Sequence, residues 1–112
     1  MDTQLDQPCL LADITMLPAA ESGNSAPVYS GWRPIMRYDA DNEELNVGGN
    51  TVVFESGKLE PDQSKRVVIR LFQKTIAKHV EFAKPGATFK LMDGLRPRAV
   101  GTVVELMGRT VL

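Results

Sequence analysis

Turn-forming residues cut this chain into short pieces, and that punctuation limits its fold more than any other feature. Nine glycines and seven prolines are spread over 112 residues. The stretches between them are short, and several alternate apolar with polar side chains. CLLADITML (9–17) mixes β-branched and apolar residues and stops at Pro18. ATFKLM (87–92) alternates cleanly, and AVGTVVELMG (99–108) is rich in β-branched residues. Alternation sends successive side chains to opposite faces of a strand, so each stretch reads as a strand with one buried face. Six or seven short strands separated by turn signals point to an all-β barrel or sandwich.

The connecting segments fit this pattern. AAESGNSAP (19–27) is small, polar and Gly/Pro-rich, as a loop is. Ser30-Gly31 reads as a turn, and Pro34, which lacks an amide donor, belongs at a strand start or on an edge. DADNEE (39–44) is an acidic cluster without the ligand spacing, central glycine and terminal glutamate of a calcium loop, so a solvated turn is expected. ELNV, GGN and TVVFES read as a hairpin-like return in which Gly48-Gly49-Asn50 supply positive φ. SGKLEPDQS (56–64) and DGLRPR (93–98) read as a loop and a turn. Residues 65–86 are ambiguous. Val68, Phe72, Ile76 and Val80 fall at helical spacing, while Val67, Ile69 and Leu71 alternate with Arg66 and Arg70. Periodicity leaves both readings open.

Composition bounds the function. The length suits one domain, read as 9–112 behind a flexible lead-in at 1–8. Thirteen basic against fourteen acidic side chains give a formal charge of −1. Strong non-specific nucleic-acid binders carry a large positive excess, so any such role would need a local patch. Apolar runs are far shorter than the roughly 20 residues that span a bilayer. MDTQLDQP has neither a basic nor an apolar leader region, so no secretory signal is expected. A single cysteine, Cys9, flanked by Leu10 and Leu11, reads as a small buried side chain in a reducing, cytoplasmic setting.

The stretch YSGWRPIMRY (29–38) holds the only tryptophan and both tyrosines, interleaved with Arg33 and Arg37. Bases stack on aromatic faces while guanidinium groups meet phosphate, so this is the composition of a nucleic-acid platform. It is equally the composition of a strand entering a small β core. In its setting, LADITMLPAAESGNSAPVYSGWRPIMRY, with Pro27, Gly31, Arg33 and Pro34 in place and Trp32 where a tyrosine is usual, the segment resembles the C-terminal β-barrel domain of elongation factor Tu. LEPDQSKRVVIRLFQKTIA, with Pro61-Asp62 as its turn, is similar to that family's long apolar strand. FKLMDGLRPRAVGTVVEL is similar to its ending at Phe89, Leu91, Asp93, Gly94, Arg98, Val100 and Gly101. The resemblance covers residues 9–107. Three departures stand out: Gln73-Lys74 replaces a His-Pro pair, Ile35 replaces a glutamine, and the loop Gly94–Arg98 looks longer.

The resemblance implies a six- to seven-stranded antiparallel Greek-key β-barrel, with a strand rather than a helix through 66–77. In the family this barrel packs against a GTPase domain and a second barrel, contacts the T-stem of aminoacyl-tRNA and meets the nucleotide-exchange factor. No Gly-x-x-x-x-Gly-Lys-[Ser/Thr] loop occurs here, so nucleotide hydrolysis is not inherited and the barrel would stand alone. His79 has no paired cysteine or histidine for a metal and is expected at the surface or in packing. No nucleophile elbow is present, and Glu43-Glu44 sit in a polar turn. A non-enzyme without cofactor, metal or membrane association is therefore expected.

Two roles follow. The first is a protein-interaction module with an apolar face at Tyr29, Trp32 and Tyr38, whose partner would be a translation GTPase, its exchange factor or a toxin that docks on such a barrel. With a toxin the chain would act as a decoy or immunity-type protein. The second is tRNA or other RNA binding through Arg33, Arg37, Lys90, Arg96 and Arg98. Against it, Arg33 and Arg37 can pair with nearby carboxylates at the strand edge. The near-neutral charge and Ile35 favour protein over RNA.

Overall fold

The computed structural model describes residues 8–43, 46–55 and 57–108. Its elements are β1 (Cys9–Met16), α1 (Ala19–Ser22), β2 (Val28–Tyr29), β3 (Ile35–Tyr38), β4 (Thr51–Val53), β5 (Lys58–Leu59) and β6 (Ser64–Arg70). A 3-10 turn (Gln73–Thr75) then runs into α2 (Ile76–Phe82), followed by β7 (Thr88–Asp93) and β8 (Arg96–Met107). Six strands form one antiparallel sheet in the order β3-β7-β8-β1-β6-β4, curled into a half-barrel, and β2 pairs with β5 alone. The expected all-β class is therefore present, with two very short strands beyond the main six.

Period-2 patterning builds the sheet. Leu10, Ala12, Ile14 and Met16 of β1 are buried while Asp13 and Thr15 face out. β1 lies between β8 and β6, so the last strand returns to the side of the first, as in a Greek key. Val67, Ile69 and Leu71 continue the inner face on and just beyond β6, as their alternation indicated.

The strand expected through residue 77 stops at Arg70. Arg70 pairs with Cys9, and the next amide, that of Leu71, binds the Pro8 carbonyl, so β6 closes beside the start of β1. Beyond that point Ala77, Lys78 and Glu81 favour helix, and no glycine or proline intervenes before Pro85. The helical stripe Val68, Phe72, Ile76 and Val80 is not the buried one, since Phe72 and Val80 are largely exposed. α2 instead turns Ile76, His79 and Phe82 toward the core.

Other connections differ from the sequence reading as well. The 19–27 loop opens with α1, which ends at Gly23 in the left-handed conformation (φ 75°). The expected hairpin through 48–50 is a crossing segment, because β4 pairs with β6 and only Gly49 of the three has positive φ. Val47 on this segment bridges to Met36 at the outer edge of β3, and Trp32 bridges to Val52 at the outer edge of β4. DGLRPR is a two-residue turn at Gly94-Leu95, with Asp93 opposite Arg96, so the longer loop does not exist. Arg98 is the extra residue of a bulge, for Leu91 faces Ala99 while Met92 faces Pro97. Cys9 is half-buried rather than fully enclosed.

The core gathers Leu10, Ile14, Met36, Tyr38, Ile69, Phe89 and Leu91. Phe89 lies directly opposite Gly101 on β8, and a Cβ at Gly101 would overlap its ring. Gly101 has no positive φ, so the constraint there is volume. Gly101→Ala should therefore destabilise the fold by about 1–3 kcal/mol through overpacking, measured as a lower urea midpoint with an unchanged slope.

Candidate interaction site

The outer face of β3, β7 and β8 carries a concavity. Arg37 on β3 stands opposite Lys90 on β7, and Lys90 stands opposite Val100 on β8. One register step along, Ile35 faces Met92 and Met92 faces Pro97. A cleft of about 370 Å³ opens here, lined by Arg37, Tyr38, Asp39, Lys90, Met92, Leu95 and Pro97. Leu95 is 89% exposed at the tip of the two-residue turn.

The charges in the cleft are partly engaged. Lys90 Nζ lies 2.6 Å from Asp39 Oδ1. Burial acts to raise the Asp39 pKa, but hydrogen bonds from Lys90 and Thr88 and the ammonium charge hold it below its ordinary value. Arg37 donates through Nε and Nη2 to Asn46 Oδ1, at 3.2 and 2.7 Å. That partner is neutral, so the guanidinium charge is not cancelled by it.

The remaining sequence-derived cations are placed differently. Arg33 is exposed just before β3. Arg96 is exposed on β8, with its guanidinium against Gly23. Arg98 is only 5% exposed: it donates to the Ala26 carbonyl and pairs with Asp93 at 3.6 Å. It therefore ties the 24–27 loop to the β7–β8 hairpin and is not presented to a partner. The three aromatics do not form one face. Tyr29 is open to solvent on β2, Trp32 is half-buried against the core, and Tyr38 is inside it.

Sequence reasoning missed a buried polar chain. His79, expected at the surface or in packing, is fully buried. Asn50 Nδ2 donates to the Val47 carbonyl at 2.8 Å, so Oδ1 faces the histidine as an acceptor. His79 Nε2 must then carry the proton that it donates to Asn50 Oδ1 (3.2 Å), and Nδ1 accepts from the Tyr38 hydroxyl (2.5 Å). The Phe72 amide also donates to Asn50 Oδ1. Every group in this chain is satisfied with His79 neutral. Burial lowers the His79 pKa to about 4 and raises that of Tyr38. Nearby, Lys78 lies 3.3 Å from buried Asp41, tying α2 to the acidic turn. The available sequence signal was the inward spacing of Ile76, His79 and Phe82, which only shows once α2 is recognised as helix.

Among the described residues, no group of three or more His, Cys, Asp or Glu is placed to hold a metal ion. Among them, too, no helix is long and apolar enough to cross a membrane. No protein-family model matches the chain, and no curated protein matches it.

Two measurements test the buried chain. Tyr38→Phe leaves His79 Nδ1 without its donor and should cost about 1–3 kcal/mol, read by urea unfolding at neutral pH. The folded pKa of His79, about 4, lies below its ordinary 6.5. Its contribution is therefore complete above pH 6.5 and is lost as pH falls through about 4, because the unfolded chain takes up the proton first. A gap of this size is worth on the order of 3 kcal/mol, and His79→Gln should remove that part of the pH dependence.

Proposed function

We propose that the chain is a non-catalytic protein-interaction module that engages its partner over the cleft face of β3, β7 and β8. The observation that carries this reading is the make-up of the cleft. Exposed Leu95 and half-buried Pro97 sit beside Met92, Arg37 and Lys90. Apolar anchors edged by polar groups are the usual composition of a protein contact surface. Lys90 and Arg98, two of the cations that an RNA reading would use for phosphate, already pair with Asp39 and Asp93. The resemblance to the third domain of elongation factor Tu suggests the partner class: a translation GTPase, its exchange factor or a toxin directed at such a barrel.

A second reading, binding of tRNA or other RNA, draws support from placement. Arg37, Lys90 and Arg96 lie on the adjacent strands β3, β7 and β8, while Arg98 is buried and takes no part. Arg37 and Arg96 meet no carboxylate among the described ion pairs.

One experiment separates the two. The purified chain is mixed with elongation factor Tu, with its exchange factor, and with bulk tRNA, each at about 50 and 200 mM salt. A protein complex on size exclusion that survives the higher salt and is lost in Leu95→Asp supports the interaction module. Binding of tRNA alone, weakening by orders of magnitude over that salt range and flattened by Arg37→Ala, would replace it with the RNA reading.

A further inference from the structure

We propose that the cleft receives an extended acidic–apolar segment of the partner protein, read by its side chains. This rests on the interaction-module reading and names the chemistry of the bound segment. One carboxylate of the segment pairs with Arg37, and an aliphatic side chain two positions away settles against Met92, Leu95 and Pro97.

Charge sets the sign of the ligand. The lining holds two cations, Arg37 and Lys90, against one carboxylate, Asp39. Asp39 is committed to Lys90, and among the described residues Arg37 hydrogen-bonds the neutral amide oxygen of Asn46. Nε and Nη2 are the atoms so engaged, which leaves the Nη1 donors of a planar guanidinium for an incoming carboxylate. Lys90 also retains donors beyond the one aimed at Asp39.

Apolar surface sets the rest. Met92 is buried on the outer side of β7, next to inward-facing Leu91, and Leu95 projects from the turn beside it. A carboxylate and an aliphatic group two positions apart on one extended segment share a face and would meet both features at once. The cleft volume sits at the lower end of the roughly 300–1,000 Å³ range of ligand sites, which suits a few side chains.

Two alternatives are disfavoured by geometry. Strand addition to the sheet edge is blocked, because both the amide and the carbonyl of Met36 are bonded to Val47 at 2.8 Å. Base stacking lacks a platform, because the only aromatic residue of the lining is Tyr38, whose ring belongs to the core.

The test uses the whole chain and a synthetic probe, Gly-Glu-Asp-Leu-Leu-Gly, in which each acid shares a face with the leucine two positions on, with a charge-reversed version carrying lysine in place of both acids. The expected result is that backbone amide shifts on titration map to Arg37, Asp39, Lys90, Met92 and Leu95 for the acidic probe only. Arg37→Gln should weaken it about tenfold, the worth of one charge-assisted pair. If that variant also lowers the thermal midpoint, Leu95→Ser supplies the independent reading and should weaken the probe as well. Equal binding of the lysine probe, shifts centred elsewhere, or shifts at the same residues with bulk tRNA alone would overturn the proposal. A protein complex that forms undiminished in both variants overturns the cleft assignment and leaves the interaction module standing. Loss of every complex together with the probe removes both.

Discussion

Three buried polar side chains from separate parts of the chain hold the open side of the half-barrel together. Tyr38 comes from one edge strand, Asn50 from the segment leading into the other, and His79 from the helix packed between them. Each hydrogen bond contributes only about 1 kcal/mol net, but a buried group left without its partner costs more than that. The network therefore acts mainly by excluding other arrangements of β3, α2 and the 47–50 crossing. Tyr38 also stacks on Phe82 and meets Phe89 edge-on, so the same residue joins the polar chain to the apolar core.

The inner face fixes the outer one. Tyr38 points in, so Arg37 beside it points out, and Phe89 places Lys90 in the same way. Because β3 and β7 pair in register, the two outward cations become neighbours. A slip of one residue in either strand would turn its cation toward the core. The bulge at Arg98 has a matching effect, leaving Pro97 beside Met92 on the cleft wall while Arg98 is drawn into the 24–27 loop. The chemistry of the cleft is thus a by-product of how the aromatic rings are buried.

Much of the architecture was legible in the sequence because it depends on local alternation. The faces of β1, β6 and β7 follow directly from which residues are apolar. The switch from β6 to α2 was not legible, since it falls beside the start of β1, which is far away in the chain. The tight Gly94-Leu95 turn was obscured by Arg96, Pro97 and Arg98 after it, residues that tertiary pairing draws into β8. The candidate site was half legible. Arg37 and Lys90 were identified as cations without any sign that they were cross-strand neighbours. Tyr38 was grouped with Tyr29 and Trp32 by proximity in sequence, although the three have quite different exposures. Asn50 was read as a turn former, whereas its amide is consumed inside the protein.

The position of β1 bears on how the protein comes to be folded. Its two neighbours are β6 and β8, so Cys9 meets Arg70 on one side and Met107 on the other. Both seams join residues separated by much of the chain, and closing such loops makes β topologies slow to fold. A ribosome emitting this chain releases β1 well before either partner strand. In that interval the strand carries Leu10, Ile14 and Met16 on one side and two unpaired backbone edges, which is the state that chaperones bind and that aggregation exploits.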